Sequence, residues 1–163
     1  MFKTLPEANR NEALIDKCYD LMLDAYRNNL VNKTKSYDGI TSLLDELVSR
    51  NNKMAVFSNK ANEFTEKIVM TLLPNWNFEA IVGLSNVAYK KPNPFMALQI
   101  SEKFGISPED IIYVGDSGTD MQTANNAGMY AVGALWGFRT KEELTLNGAK
   151  YLIHNPLDLI KIL

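Results

Sequence analysis

With one cysteine and one histidine in 163 residues, the chain has few side chains for thiol or imidazole chemistry. Cys18 alone can form neither an internal disulfide nor a cysteine-rich zinc site, which fits a reducing, cytoplasmic setting. His154 stands far in sequence from every motif considered below, so a histidine acid or base is unsupported. An excess of either charge is also missing. The 17 basic and 19 acidic residues leave a net charge of −2, which argues against a bulk grip on nucleic acid or an anionic membrane. No apolar run approaches the ~20 residues of a membrane span. The opening MFKTLPEANR lacks the apolar centre of a signal peptide. No repeat or low-complexity segment appears. What is present is 46% hydrophobic residues in short runs, enough to bury the core of one domain with a small appendage.

Residues 6–32 predict one long helix, with Ile15, Tyr19, Met22 and Tyr26 at helical spacing. Asp16, Asp20 and Asp24 line another face, read as solvated, with Arg27 placed to pair with Asp24. After a polar linker at 33–37, strands and helices alternate. Helices are expected over 38–50, 63–73 and 94–104, the last capped by Asn93 with Pro94 at its first position. Strands are expected over 54–57, 80–82, 111–114, 130–134 and 151–153. A short helix ends near Gly128, Thr140 and Glu143 suggest a capping box, and Asn155-Pro156 opens a last helix. This order predicts an α/β fold with a mainly parallel sheet. Ligands of such sheets bind beyond the carboxyl ends of the strands.

Three positions just after strands carry the chemistry. Ser58 and Asn59 offer a hydroxyl and an amide to a phosphate oxygen at a helix start, although a simple helix cap explains them equally well. Lys91, within Lys90-Lys91-Pro92-Asn93-Pro94, is a point charge on a stiff loop, suited to phosphate or carboxylate. An apolar strand then runs into Gly115-Asp116-Ser117-Gly118-Thr119-Asp120. Two carboxylates so spaced suit Mg²⁺, which prefers oxygen ligands and keeps several waters; the competing reading is a helix capped by Asp116 or Ser117.

In order and spacing these motifs resemble the haloacid dehalogenase (HAD) superfamily, with Ser58 as its second motif, Lys91 its third, and Asp116 with Asp120 its fourth. Thr123 to Gly128, Trp136-Gly137-Phe138-Arg139, Glu142-Glu143-Leu144 and Gly148-Ala149 are similar to the phosphoglycolate phosphatase branch. The resemblance implies a Mg²⁺-dependent hydrolase of small phosphorylated metabolites that works through a phosphoaspartyl intermediate. Ser58 and the Asn59 amide would bind the phosphoryl group. Lys91 would offset its charge, Asp116 would hold Mg²⁺, and Asp120 would support the ion directly or through water. Trp136 and Arg139 would either border the substrate or pack the loop.

The family's first motif, Asp-x-Asp-x-Thr or Val, has no counterpart. The aspartates are 16, 20, 24, 38, 45, 110, 116, 120 and 158, and no two are separated by a single residue. Residues 1–35 are therefore expected to be the remnant of a helical cap plus a linker, and 36–163 a Rossmann-like core without its first strand. The resemblance places that strand between the strands ending at Ser58 and Val114, which would then either pair directly or leave a gap. The chain is expected to be inactive alone, as a fragment, a member complemented by another chain, or a degenerate one. Self-association through the sheet or the cap helix would be one consequence. A non-catalytic binding or assembly protein is the alternative function.

Overall fold

The computed structural model describes residues 11–163, which fall into two compact units divided after Lys35. The described part of the first is helix α1, Glu12–Asn29, so residues 6–10 of the expected helix lie outside the described residues. Asn11 caps α1, its side-chain oxygen accepting from Leu14 N at 2.8 Å. Arg27 donates to Asp24 at 3.0 Å, and Asp16, Asp20 and Asp24 are exposed. No residue of α1 is buried.

The second unit alternates helices and strands in the order α2 Ile40–Ser49, β1 Ala55–Ala61, α3 Asn62–Leu72, β2 Ala80–Leu84 and α4 Phe95–Phe104. It continues with β3 Ile112–Gly115, α5 Gly118–Asn126, β4 Tyr130–Ala134, α6 Lys141–Leu146 and β5 Tyr151–Ile153, ending in a 3-10 helix at Pro156–Ile162. Local sequence accounts for most boundaries. Gly39 adopts φ 85° just before α2, and Gly105 adopts φ 64° just after α4, a left-handed conformation that glycine tolerates best. Asn93 accepts from Phe95 N at 2.9 Å at the start of α4. Asn155 and Asp158 form a reciprocal capping box at the last helix.

Glu143 behaves differently from the expected box. Its backbone N–H donates to Thr140 Oγ1 at 3.3 Å, but its carboxylate reaches across to accept from Gly118 N at 3.0 Å. The tertiary bond to the start of α5 has replaced the local one.

All strand pairs are parallel, in two sheets: β1–β2, and β3–β4–β5. Of the two outcomes open to the strands ending near Ser58 and Val114, the structure shows separation, since β1 and β3 share no ladder. The deepest core surrounds the three-stranded sheet. There Met121, Ala124, Met129, Ala131 and Leu144 pack together with at most 1% exposure. Val132 and Ile153 join Leu43 of α2 and Leu159 on another side, while Ala80 packs with Ile100 and Phe104 of α4. Among the described residues, no helix is long and apolar enough to cross a membrane.

Candidate active site

Near the carboxyl ends of β1 and β3, hydrogen bonds join Lys91 to Asn59 and Asp120; Ser58 and Asn59 lie within β1 and not at the start of α3, and Asp116 directly follows β3. Lys91 sits at the centre. Its ammonium donates to Asp120 Oδ1 at 2.7 Å and to the Phe57 carbonyl at 3.2 Å. It also lies 5.0 Å from the Phe57 ring centroid and 5.9 Å from that of Tyr113, so aromatic faces supplement its ionic partner. Asn59 holds the Lys91 backbone from both sides: Lys91 N donates to Asn59 Oδ1 at 2.8 Å, and Asn59 Nδ2 donates to Lys91 O at 3.4 Å. Sequence reasoning assigned Asn59 to phosphate through its amide and missed this side-chain role. Ser58 Oγ accepts from Lys60 N at 3.0 Å, a local turn that leaves the hydroxyl hydrogen to donate elsewhere.

Asp116 and Asp120 are in unlike surroundings. Asp120 is 7% exposed, and both of its oxygens are engaged. Oδ2 accepts from Ser117 Oγ at 2.5 Å, and Oδ1 accepts from Lys91 and, at 3.4 Å, from Tyr113 Oη. Burial first, and then the Asp120 carboxylate, push the Tyr113 phenol above its ordinary value of 10.0, so it remains protonated and donates. Asp116 Oδ2 accepts from Phe138 N at 3.1 Å. Ser117 is the residue that caps α5, so Asp116 is turned to the loop after β4 and not to the helix start.

Two glycines allow this crowding. A Cβ on Gly115 would overlap the Asp120 side chain, and one on Gly137 would overlap that of Asp116. Glu143 links the two regions, because it accepts from Gly118 at the start of α5 and lies 3.7 Å from Arg139 Nε. Neither Tyr113 and Phe57 nor the Glu143–Gly118 bond is marked by any local pattern as part of the site. Trp136 packs against the core beside Val132 and Leu159, whereas Arg139 is exposed and pairs with Glu143. His154 is exposed, and its backbone N–H donates to Asp158.

Among the described residues, no group of three or more histidine, cysteine or acidic side chains converges as a metal cage. The donor set nevertheless fits a magnesium ion, which commonly takes one or two protein carboxylates and completes its shell with water and phosphate oxygen. Asp116 accepts one hydrogen bond, from Phe138 N, whereas both oxygens of Asp120 are hydrogen-bonded.

Residues 1–134 match the model of the haloacid dehalogenase-like hydrolases. The chain is 35% identical over 138 residues to a phosphoglycolate phosphatase of Aquifex aeolicus, covering 85% of this chain and 63% of that protein. To the phosphoglycolate phosphatase of Xylella fastidiosa it is 33% identical over 123 residues, covering 74% and 53%. A crystal structure from Lactobacillus delbrueckii subsp. bulgaricus, whose phosphoglycolate phosphatase assignment is itself a prediction, aligns with a TM-score of 0.84 at 30% identity, covering 97% of this chain and 65% of that one. The chain thus spans between half and two-thirds of the length of these relatives. On the strength of the match over residues 1–134, the chain belongs to the haloacid dehalogenase-like hydrolase family.

Proposed function

We propose that this chain carries the phosphate-holding and magnesium-holding portion of a phosphate monoester hydrolase of the phosphoglycolate phosphatase type. The observation that carries the reading is the buried Lys91–Asp120 pair, 2.7 Å apart, held by Asn59 at the sheet edge where Ser58 and Asp116 emerge. The Lys91 ammonium faces a carboxylate, a carbonyl and two rings, so its charge is fixed in place before any substrate arrives. Preorganised charge of this kind is the main contribution a protein makes to phosphoryl transfer. Ser58 Oγ donates to a phosphoryl oxygen, and the Asp116 carboxylate would hold the cation. Asp120 orients Lys91. When bound, Mg²⁺ would neutralise charge on the phosphoryl oxygens.

The attacking carboxylate is assigned to none of the nine aspartates, because none stands in an Asp-x-Asp pair. In this reading the 163 residues bind phosphate and cation but do not turn over ester until an Asp-x-Asp strand is supplied. Residues 1–35 are read as part of a helical cap, and the substrate as a small phosphorylated metabolite. Calorimetric titration with MgCl₂ and then with inorganic phosphate tests the binding. We expect Mg²⁺-dependent phosphate binding that Asp116→Ala abolishes and Ser58→Ala weakens. Phosphate binding indifferent to Mg²⁺ and to Asp116→Ala would sink the reading.

A further inference from the structure

We propose that Glu143 is a positioning residue for the Asp116 carboxylate, acting through its hydrogen bond to the Gly118 amide. The consequence for Mg²⁺ rests on the functional reading above, in which Asp116 holds the cation; the placement of the carboxylate does not. Glu143 touches neither phosphate nor cation in that reading, so its influence on the site passes through the chain.

Two hydrogen bonds close a ring at Asp116. Asp116 Oδ2 accepts from Phe138 N at 3.1 Å, and Glu143 Oε1 accepts from Gly118 N at 3.0 Å. Two short stretches of chain, 116–118 and 138–143, complete the ring. Either bond therefore shortens the loop that the other has to close, and closing a shorter loop costs less conformational entropy. The ring is drawn tight at Gly137, where a Cβ would overlap the Asp116 side chain. The backbone there has little room to shift without moving the carboxylate. The same Oε1 atom lies 3.7 Å from Nε of Arg139, the residue after Phe138, a partly exposed pair that adds little on its own.

The packing of α6 on α5 imposes the position of Glu143. Leu144, the next residue, is fully buried with Met121 and Ala124 of α5. One helical turn beyond Glu143, Asn147 Oδ1 accepts at 2.6 Å from Nε2 of Gln122, which stands one turn beyond Gly118. The Glu143–Gly118 and Gln122–Asn147 bonds are thus two rungs between the same helices. Gly118 is part of the fit, since a Cβ there would overlap the Asn147 amide. Thr140 Oγ1 supplies the local cap of α6, which leaves the Glu143 carboxylate free for the distant bond. A carboxylate anchored in this way acts as the outer partner that orients a metal-binding group, and loss of such a partner typically lowers metal affinity by about 10- to 100-fold.

The test measures two quantities in the full chain: exchange of the Phe138 amide with water, by NMR, and Mg²⁺ affinity, by calorimetry. In Glu143→Ala we expect Phe138 exchange to quicken and Mg²⁺ affinity to fall, each by about tenfold. Glu143→Gln keeps an oxygen for Gly118 and should bring both back to within about twofold of wild type. Phe104→Leu, in the separate core beside α4, lowers stability and should leave both unchanged. Should Glu143→Ala fail to fold, Glu143→Asp, one methylene shorter, stands in for it with the same expectation. Three results would overturn the proposal: unaltered Phe138 exchange in Glu143→Ala, no recovery in Glu143→Gln, or the same changes in Phe104→Leu. Phe138 exchange that follows the expected pattern while wild type does not bind Mg²⁺, or while Mg²⁺ affinity stays constant, supports the positioning role and counts against the functional reading of Asp116.

Discussion

Lys91 Nζ lies 2.7 Å from Asp120 Oδ1, with 11% and 10% of the two side chains exposed. So little water reaches the pair that neither charge is easily solvated if the other is removed. Lys91→Met or Asp120→Leu alone should destabilise the fold by about 3–5 kcal/mol, because each leaves its partner buried and uncompensated. The double replacement should lose much less than the sum of the singles. Urea denaturation of the four proteins checks this. Additive losses would mean that the ion pair is not the coupling.

The close approach at Gly115 and Gly137 gives a second expectation. A methyl group at either position overlaps a carboxylate side chain, that of Asp120 or Asp116 respectively. Gly137→Ala and Gly115→Ala should each cost about 1–3 kcal/mol by overpacking. Gly137→Ala should also weaken Mg²⁺ binding, because it displaces the carboxylate read as the cation's ligand. Thermal melts and Mg²⁺ titration together decide the matter. Unchanged Mg²⁺ affinity in a folded Gly137→Ala protein would remove Asp116 from the ligand role.

Glu143 offers a cleaner test of tertiary hydrogen bonding. Its carboxylate accepts from Gly118 N at 3.0 Å, and Gly118 is buried. Glu143→Ala leaves that N–H without its acceptor and should cost about 1–3 kcal/mol. Glu143→Gln retains an oxygen and should restore most of the loss. Equal destabilisation by both variants would show that the pairing of Glu143 with Arg139 matters more than the bond to Gly118.

At the carboxyl-terminal helix the expected effect is on pH dependence. The hydrogen bond from Lys161, and then the backbone N–H of Asn155, hold the Asp158 carboxyl below its ordinary 3.8. A carboxyl lowered in the folded state contributes stability above the unfolded value and loses it as pH falls through the folded one. The wild type should therefore lose stability on acidification below about pH 4, and Asp158→Asn should show a shallower acid loss. Melting temperatures from pH 2 to 7 measure it. Parallel profiles would refute the assignment.

Much of the strand and helix order was legible because short apolar runs ended at glycine, proline or capping residues. β4 and β5 start and stop where the sequence placed them, at Tyr130–Ala134 and Tyr151–Ile153. The site was legible as a set of residue types, and much less as a set of contacts. Nothing in the spacing tells that Lys91 pairs with Asp120, 29 positions away, or that Asn59 holds the Lys91 backbone across 32. Those bonds depend on which strand ends meet, a property of topology that local pattern does not encode. Glu143 shows the converse: a residue read from its near neighbours, Thr140 above all, forms its decisive contact with a distant one.

The divided sheet has a consequence for how firmly each part of the site is held. β4 lies between two neighbours, and four of its five residues are buried. β1 has one neighbour and no fully buried residue. Local opening draws on the less buried, less paired elements first. Asp116 ends β3, which pairs with β4, and Asp120 lies on α5, five of whose nine residues are buried, so the acidic pair is held more firmly than Ser58 and Asn59 on β1. Temperature should loosen the hydroxyl and amide side of the site well before the acidic side.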